Sequence, residues 1–146
     1  MSKLTRRVTI NAPVDKVFDF ALDVGDLWAS YPDVAIREVE LKPGGVGTSA
    51  RIYTHGLGLH MEGVIEYTEV VPNERIVAVV TFGPEKPKWT FRFAAVDAGT
   101  EVTAQGEWHI KIPGVGGPLE DWMAKSHAKF LEEGLEHIKS RVEAGA

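Results

Sequence analysis

The chain has 146 residues, no cysteine, 44% hydrophobic and 25% charged residues, and a formal net charge of −5. This composition is typical of a soluble globular domain, and the absence of cysteine excludes disulfides, thiolate catalysis and cysteine-ligated zinc. A nucleic-acid partner is not expected, because the chain is acidic and has no Lys/Arg run longer than Arg6–Arg7.

The N-terminal part of the chain predicts one short strand and two short helices. Alternation of apolar and polar residues indicates a strand that ends at Asn11. Asn11 or Ala12 is then expected to cap a helix with Pro13 in its first turn, and this helix runs to about Leu22. A second helix is expected over Asp26–Tyr31, where the following proline stops it.

From Val34 to Ile112 the hydrophobic pattern changes to period two and is interrupted by turns rich in glycine and proline. Six strands are expected, at about 35–42, 46–55, 60–70, 75–82, 88–96 and 101–111. Because the connections are too short for parallel crossovers, neighbouring strands are expected to be antiparallel.

A glycine-rich loop over 112–117 precedes a long amphipathic helix, expected over Pro118–Val142. Its length of ~38 Å, at ~1.5 Å per residue, is enough to cross a small sheet. His127 and Gly134 lie near the centre of its apolar face, where a core helix normally carries Leu or Ile. This pattern indicates a helix that covers a space within a curved sheet.

Short motifs occur in a fixed order along the chain: Val8–Phe20 (VTINAPVDKVFDF), Leu27–Pro32, Pro43–Thr48, Glu69–Pro72, Trp89–Phe91 and Ala98–Thr103. In this order they resemble the START-like, helix-grip superfamily, specifically its bacterial polyketide cyclase/dehydratase and lipid-transport branch. The resemblance implies one α+β domain over 1–146, in which a seven-stranded curved antiparallel sheet wraps around a long C-terminal helix, with the element order β-α-α-β6-α. It also implies an apolar cavity between sheet and helix. The superfamily contains carriers, cyclases, receptors and chaperone regulators, so the fold does not fix the function.

Aromatic side chains on two neighbouring predicted strands are candidates for the lining of such a cavity. Trp89, Phe91 and Phe93 share one face of their strand, and Trp108 and Ile110 share one face of the next. Plain core packing is the alternative for any one of them. The expected ligand-contacting residues are Trp28, Trp89, Phe91, Trp108, Met123, His127, Phe130 and Gly134.

Catalytic residues are left open by the sequence. His127 is a candidate ligand anchor or general acid/base, and the alternatives are a buried neutral imidazole or a ring at the helix margin. Arg51 and Tyr53 share one face of the predicted strand 46–55. If that face points inward, Arg51 could bind an anion or enolate and Tyr53 could donate a proton. If it points outward they form a solvated face, which we favour.

No metal or cofactor is expected. His55 and His60 are separated by a glycine turn, without further ligands at close spacing on one face. Nucleotide-binding and Gly-x-Ser-x-Gly motifs are absent from the sequence. Glu107 and His109 alternate with Trp108, so an inward Trp108 would direct both of them outward.

Three functions remain open at this point. The preferred hypothesis is a carrier or sensor that binds a small hydrophobic molecule such as a lipid or polyketide. The second is a polyketide cyclase/dehydratase-type enzyme that uses the three catalytic candidates above. The third is a protein-interaction module, such as a stress or toxin–antitoxin component, with Leu57, Leu59 and Met61 as an exposed apolar patch.

The chain carries no recognisable membrane or export signal. No stretch approaches the ~20 apolar residues of a membrane span, and the start MSKLTRRVTI has neither a long apolar run nor a small-residue cleavage site. We therefore expect a cytoplasmic protein, a monomer or homodimer, without membrane insertion.

Overall fold

The computed structural model describes residues 2–31, 33–56, 59–83, 86–108 and 117–145, and within them all side chains except those of 2, 55, 56, 59, 60 and 117–127. The elements are β1 Ser2–Ile10, α1 Val14–Leu22, α2 Val24–Ala29, β2 Val34–Glu40, β3 Ser49–Gly56, β4 Leu59–Val71, β5 Arg75–Thr81, β6 Lys88–Val96, β7 Gly99–Trp108 and α3 Gly117–Glu143.

Within the described residues the strands form one seven-stranded sheet in the order β1-β7-β6-β5-β4-β3-β2. Every neighbouring pair is antiparallel. The curved sheet holds the long helix α3, so the expected α+β helix-grip architecture with the order β-α-α-β6-α is confirmed.

α3 runs along β1 in the same direction. Arg6 Nε donates to Glu132 Oε1 at 2.8 Å, and the Asn11 N–H near the end of β1 donates to Glu143 Oε2 at 2.8 Å. Because these contacts advance together along both elements, the N-terminal end of α3 lies at the end of the sheet where β1 starts. That end of the sheet is also where β2 and β4 start and where β3, β5 and β7 finish.

β1 is longer than its sequence pattern indicated. It starts at Ser2, well before the alternation of Val8 and Ile10, because it pairs with β7 along its whole length. The polar residues at its start are held in the strand by this pairing with β7 and not by their own strand propensity.

The short helices also begin elsewhere than expected. Pro13 is the N-cap residue of α1, in place of Asn11 or Ala12. α2 begins before Asp26, because the Asp23 side chain accepts hydrogen bonds from the backbone N–H groups of Gly25 and Asp26 at 2.9 and 3.1 Å.

The core lies between the inner, concave face of the sheet and the three helices. The expected apolar stripe of α3 is confirmed over its second half, where the buried residues are Leu131, Leu135, Ile138 and Val142. From the sheet the fully buried side chains include Ile10, Ile65, Tyr67, Ile76 and Phe91. Among the described residues, no helix is both long and apolar enough to cross a membrane.

Candidate functional site

The inner face of the sheet has a filled end and an open end. At the filled end, Ile10, Ile76 and Thr100 are completely buried. The open end is formed by the side chains that the same face carries at the opposite ends of the strands: Val34, Thr54, Met61, Phe82 and Trp108. Each keeps part of its surface exposed, and Met61 is 38% exposed. Burial therefore falls along one continuous apolar face, toward the first half of α3.

A surface cleft of about 370 Å³ reaches this open end from outside. It wraps around the ends of β2, β3 and β4, and its lining residues are Asp33, Val34, Ala35, Tyr53, Thr54, Met61 and Glu62. Val34, Thr54 and Met61 belong to the inner face, so the cleft connects the outer surface with the open end.

Two glycines on the inner face make room for aromatic rings. A Cβ atom at Gly106 would lie 2.5 Å from Cζ3 of Trp89, and one at Gly63 would lie 2.7 Å from Cδ1 of Phe82. Trp89 also stacks against Trp108, with the ring centroids 6.4 Å apart and the planes at 26°. The Trp89 and Phe82 rings therefore pack closely against the sheet backbone at these glycines and present flat apolar surface above it.

Trp28 and Tyr31 extend this surface from the sheet to α3. The Trp28 ring lies 6.1 Å from Trp89 and 5.8 Å from Phe91, edge-on in both cases. Tyr31 stacks on Phe130 of α3, with the centroids 4.9 Å apart. We call these five rings together with Trp108 the aromatic cluster. Trp28, Trp89, Phe91, Trp108 and Phe130 were all expected from the sequence, and the structure brings them together.

The Tyr31 hydroxyl is buried, and within the described part of the chain it has no hydrogen-bond partner. Tyr31 is only 3% exposed, and burial raises its pKa far above the ordinary tyrosine range. The Tyr67 hydroxyl is equally buried, but it donates a 2.7 Å hydrogen bond to the Ala21 carbonyl. Burial raises the pKa of Tyr67 as well.

The indole N–H of Trp28 is less isolated than the Tyr31 hydroxyl. It makes no hydrogen bond of good geometry within the described residues, yet it lies near enough to the Tyr67 hydroxyl to offset part of the effect of burial on the pKa of Tyr67. Within the described part of the chain, Trp28 Nε1 and the Tyr31 hydroxyl are thus the buried polar atoms of the aromatic cluster without a hydrogen-bond partner, and the Tyr31 hydroxyl is the more isolated of the two.

Gly134 does not leave open space beneath α3, and here the structure corrects the sequence interpretation. A Cβ atom at this position would lie 2.1 Å from Cδ1 of Tyr31. The space that we expected a ligand to use is filled by the Tyr31 ring, because the segment after α2 passes directly against the helix.

Several expected site residues lie outside the described side chains, so their roles remain predictions. His127 and Met123 belong to the part of α3 for which only the helical backbone is described. Also outside the described side chains are Leu57, Leu59, His55, His60, His109, Ile110 and the loop up to Gly117.

Arg51 and Tyr53 lie on the outer face of β3, because Ile52 between them is buried on the inner face. Arg51 Nε donates to Glu38 at 2.6 Å and its Nη1 to Glu62 at 3.0 Å. The hydrogen bond with Glu38 raises the pKa of Arg51. The solvated-face alternative therefore holds for Arg51, and the structure does not bring this pair to the inner face as a catalytic set would require.

Glu107 also points outward, as expected for an inward Trp108. Its carboxylate lies 3.3 Å from Lys3 Nζ and 3.7 Å from Lys88 Nζ, on the outer face. Among the described side chains, no group of three or more His, Asp or Glu residues is placed to hold a metal ion.

Sequence reasoning missed Tyr31 and Phe82 as parts of the site. Both were treated only as the last residues of predicted elements. A usable signal was present for Phe82, because Gly63 interrupts an otherwise bulky inner face and such a glycine often permits a close approach. No comparable local signal marked Tyr31, whose burial depends on a glycine in the distant helix α3.

Solved structures share this fold at low sequence identity. TTHA0849 from Thermus thermophilus has a TM-score of 0.81 and 22% identity, with 99% of each chain covered. A START superfamily protein from Mycobacterium smegmatis has a TM-score of 0.75 and 16% identity, and Ara h 8.0201 has 0.70 and 14%, again with 99% of each chain covered. Similarity at these identities establishes the fold alone.

Sequence comparison supplies the family. No curated protein matches the chain significantly. A family model described as polyketide cyclase / dehydrase and lipid transport matches residues 1–143. The START-like resemblance drawn from the motifs is thus confirmed, and the chain belongs to the polyketide cyclase / dehydrase and lipid transport family.

Proposed function

We propose that this protein binds a small hydrophobic molecule between the open end of the sheet and the first half of α3, as a carrier or sensor. The observation that carries the proposal is the change in burial along the inner face. Ile10 and Ile76 are fully buried at the filled end, whereas Met61 and Trp108 on the same face stay partly exposed. Apolar surface of this kind, gathered at one end of a concave face, is typical of ligand sites.

Simple energetics support a ligand of modest size. Burial of roughly 300 Å² of apolar ligand surface yields about 7 kcal/mol at ~25 cal/mol per Å², before the cost of association is subtracted. A micromolar complex then needs only one or two polar contacts. The cleft at the ends of β2, β3 and β4 offers a route to the open end, and the family description includes lipid transport.

The positions of Arg51 and Tyr53 do not support the enzymatic hypothesis. It required Arg51 and Tyr53 to face the ligand, and both lie on the outer face of β3. His127 alone remains a predicted ligand contact. The interaction-module hypothesis gains no support from Met61, because this residue belongs to the inner face at the open end.

A bulky substitution at the open end tests whether a ligand binds there or only adheres nonspecifically to the protein surface. Thr54→Trp adds a ring to the inner face of β3. Val64→Trp is the matched control, because it adds a ring to the outer face of β4, where Val64 lies opposite Arg51 and is 42% exposed. With N-phenyl-naphthylamine as a fluorescent apolar probe, we expect Thr54→Trp to weaken binding at least tenfold and Val64→Trp to change it less than twofold.

Native mass spectrometry of protein purified from its own host provides an independent check. A copurified small molecule that is lost from Thr54→Trp supports the proposal. Absence of probe binding by the wild type, together with absence of any copurified molecule, would overturn it.

A further inference from the structure

The buried Tyr31 hydroxyl calls for a physical explanation. Buried polar groups in folded proteins almost always have hydrogen-bond partners, because an unpaired one loses its water without compensation. Tyr67 follows this rule through its bond to the Ala21 carbonyl. Tyr31 does not follow it among the described residues, although its ring is held on one side by Phe130 and on another by Trp28.

At position 134, α3 is contacted by the Tyr31 ring and not by its hydroxyl. The ring atoms nearest to position 134 are Cδ1, Cε1 and Cγ. The Cδ1–Cε1 edge of the ring therefore faces position 134, and the hydroxyl-bearing Cζ lies farther from it. A phenol fixed in this way by stacking is a preorganised donor and acceptor.

The described surroundings of the site favour an uncharged ligand. The side chains of the open end and of the aromatic cluster carry no charge at neutral pH. Charged side chains on the same strands lie on the outer face, as Arg51, Glu62 and Glu107 do. Arg6 is placed on the inner side of β1, but Glu132 neutralises it at 2.8 Å. A charged ligand buried beside these residues would thus lack a counter-ion among the described side chains of the inner face, which is costly.

The shape of the surface favours a ring. Trp89 and Trp108 lie nearly parallel, with Trp89 flat over Gly106, and Trp28 meets Trp89 edge-on. Flat aromatic surfaces gain from contact with a planar partner beyond the gain from area alone.

We infer that the ligand is an uncharged ring compound with a hydroxyl or carbonyl oxygen, and that this oxygen hydrogen-bonds to the Tyr31 hydroxyl. The inference rests on the proposed function and narrows it: Tyr31 is the polar anchor and the tryptophan rings are the apolar platform. It separates the ligand class from fatty acids and other anions, whose carboxylate has no described partner here.

Three probes with one ring system test this inference on the full chain: naphthalene, β-naphthol and β-naphthoate. For the wild type at neutral pH we expect β-naphthol to bind about tenfold more tightly than naphthalene, the size of one buried hydrogen bond. We expect β-naphthoate to bind more weakly than β-naphthol. Titration calorimetry measures all three dissociation constants.

Tyr31→Phe is the decisive variant. Tyr67→Phe is its matched control, because it removes a buried hydroxyl that already bonds to the Ala21 carbonyl. In Tyr31→Phe the preference for β-naphthol over naphthalene should fall to less than twofold while naphthalene binding is retained. In Tyr67→Phe the tenfold preference should persist. Circular dichroism verifies that both variants are folded.

The outcomes separate the two proposals. If N-phenyl-naphthylamine binds but the wild type does not prefer β-naphthol, or prefers β-naphthoate, this inference is wrong and the proposed function stands. If Tyr31→Phe keeps the preference for β-naphthol over naphthalene, the inference is likewise wrong and the proposed function stands. If none of the apolar probes binds, the proposed function itself fails. The wild-type comparison decides the matter even if Tyr31→Phe does not fold.

Discussion

The ring of Tyr31 occupies the position that a side chain at Gly134 would need, since a Cβ atom there would lie 2.1 Å from Cδ1 of Tyr31. This contact belongs to a row on α3. Phe130 stacks on Tyr31, His137 Nδ1 lies 2.8 Å from the Ser30 carbonyl, and Arg141 Nη1 donates to the Asp26 carbonyl of α2. These positions on α3 are spaced by one helical turn, so one stripe of the helix holds the segment that carries Tyr31.

Gly134→Ala should destabilise the protein, although glycine-to-alanine changes inside helices normally stabilise by roughly 0.5–1 kcal/mol. The added methyl group overlaps the Tyr31 ring, and overpacking of this kind typically costs about 1–3 kcal/mol. Urea unfolding measures the change in the free energy of unfolding.

A double-mutant cycle identifies the cause of that loss. In a Tyr31→Ala background the ring is gone, so Gly134→Ala should become neutral or stabilising. An equal loss in both backgrounds, or a gain in the wild type, would contradict the packing of Tyr31 against position 134.

Tyr67→Phe and Tyr31→Phe should differ in stability, although each removes one buried hydroxyl. The Tyr67 change breaks the hydrogen bond to the Ala21 carbonyl and should cost about 1–2 kcal/mol. The Tyr31 change removes a hydroxyl that has no partner among the described residues, and it should be neutral or slightly stabilising in the absence of ligand. Equal losses, measured by urea unfolding, would mean that the Tyr31 hydroxyl has a partner.

The stability of the protein should fall in alkaline solution through the same two tyrosines. Burial raises the pKa of Tyr31 and of Tyr67, whereas the unfolded chain ionises near its ordinary value of about 10. Their contribution is therefore complete below about pH 10 and is lost as the pH rises above it, because the unfolded state then releases protons that the folded state retains.

The pH dependence of each tyrosine variant tests this linkage. The free energy of unfolding of the wild type, measured with urea, should decline as the pH rises from about 10 to about 11. Tyr31→Phe should make this decline less steep by up to about 1.4 kcal/mol per pH unit. If the free energy of unfolding of Tyr31→Phe falls with pH as steeply as that of the wild type, Tyr31 is ionisable in the folded state.

The sequence predicted the architecture because the dominant signals are local. Period-two strands, glycine–proline turns and the stripe through Leu131 and Ile138 each depend on nearby residues. The face of Arg51 could not be decided in the same way, since alternation separates two faces without identifying the inner one. The pairing of Tyr31 with Gly134 was inaccessible for a different reason: it joins distant parts of the chain, and a glycine alone does not reveal what fills its place.

Arg141→Ala should loosen α2 more than it destabilises the whole protein. The Arg141 guanidinium donates to the Asp26 carbonyl at 3.0 Å and to Ser30 Oγ at 3.3 Å, and it lies 5.0 Å above the Phe20 ring. Because the side chain is partly exposed, the global loss should be only about 0.5–1 kcal/mol. The local effect should be larger, since these contacts fix the segment that positions Tyr31 against α3.

Hydrogen exchange measured by mass spectrometry distinguishes the local effect from the global one. In Arg141→Ala the amides of 24–31 should exchange at least tenfold faster, while those of β6 and β7 change little. Arg6→Ala is the matched control: it removes a similarly exposed arginine bound to Glu132 on another side of α3, and it should leave 24–31 unaffected. Uniform acceleration across the chain in Arg141→Ala would mean that this arginine stabilises the fold as a whole and has no particular role in holding α2.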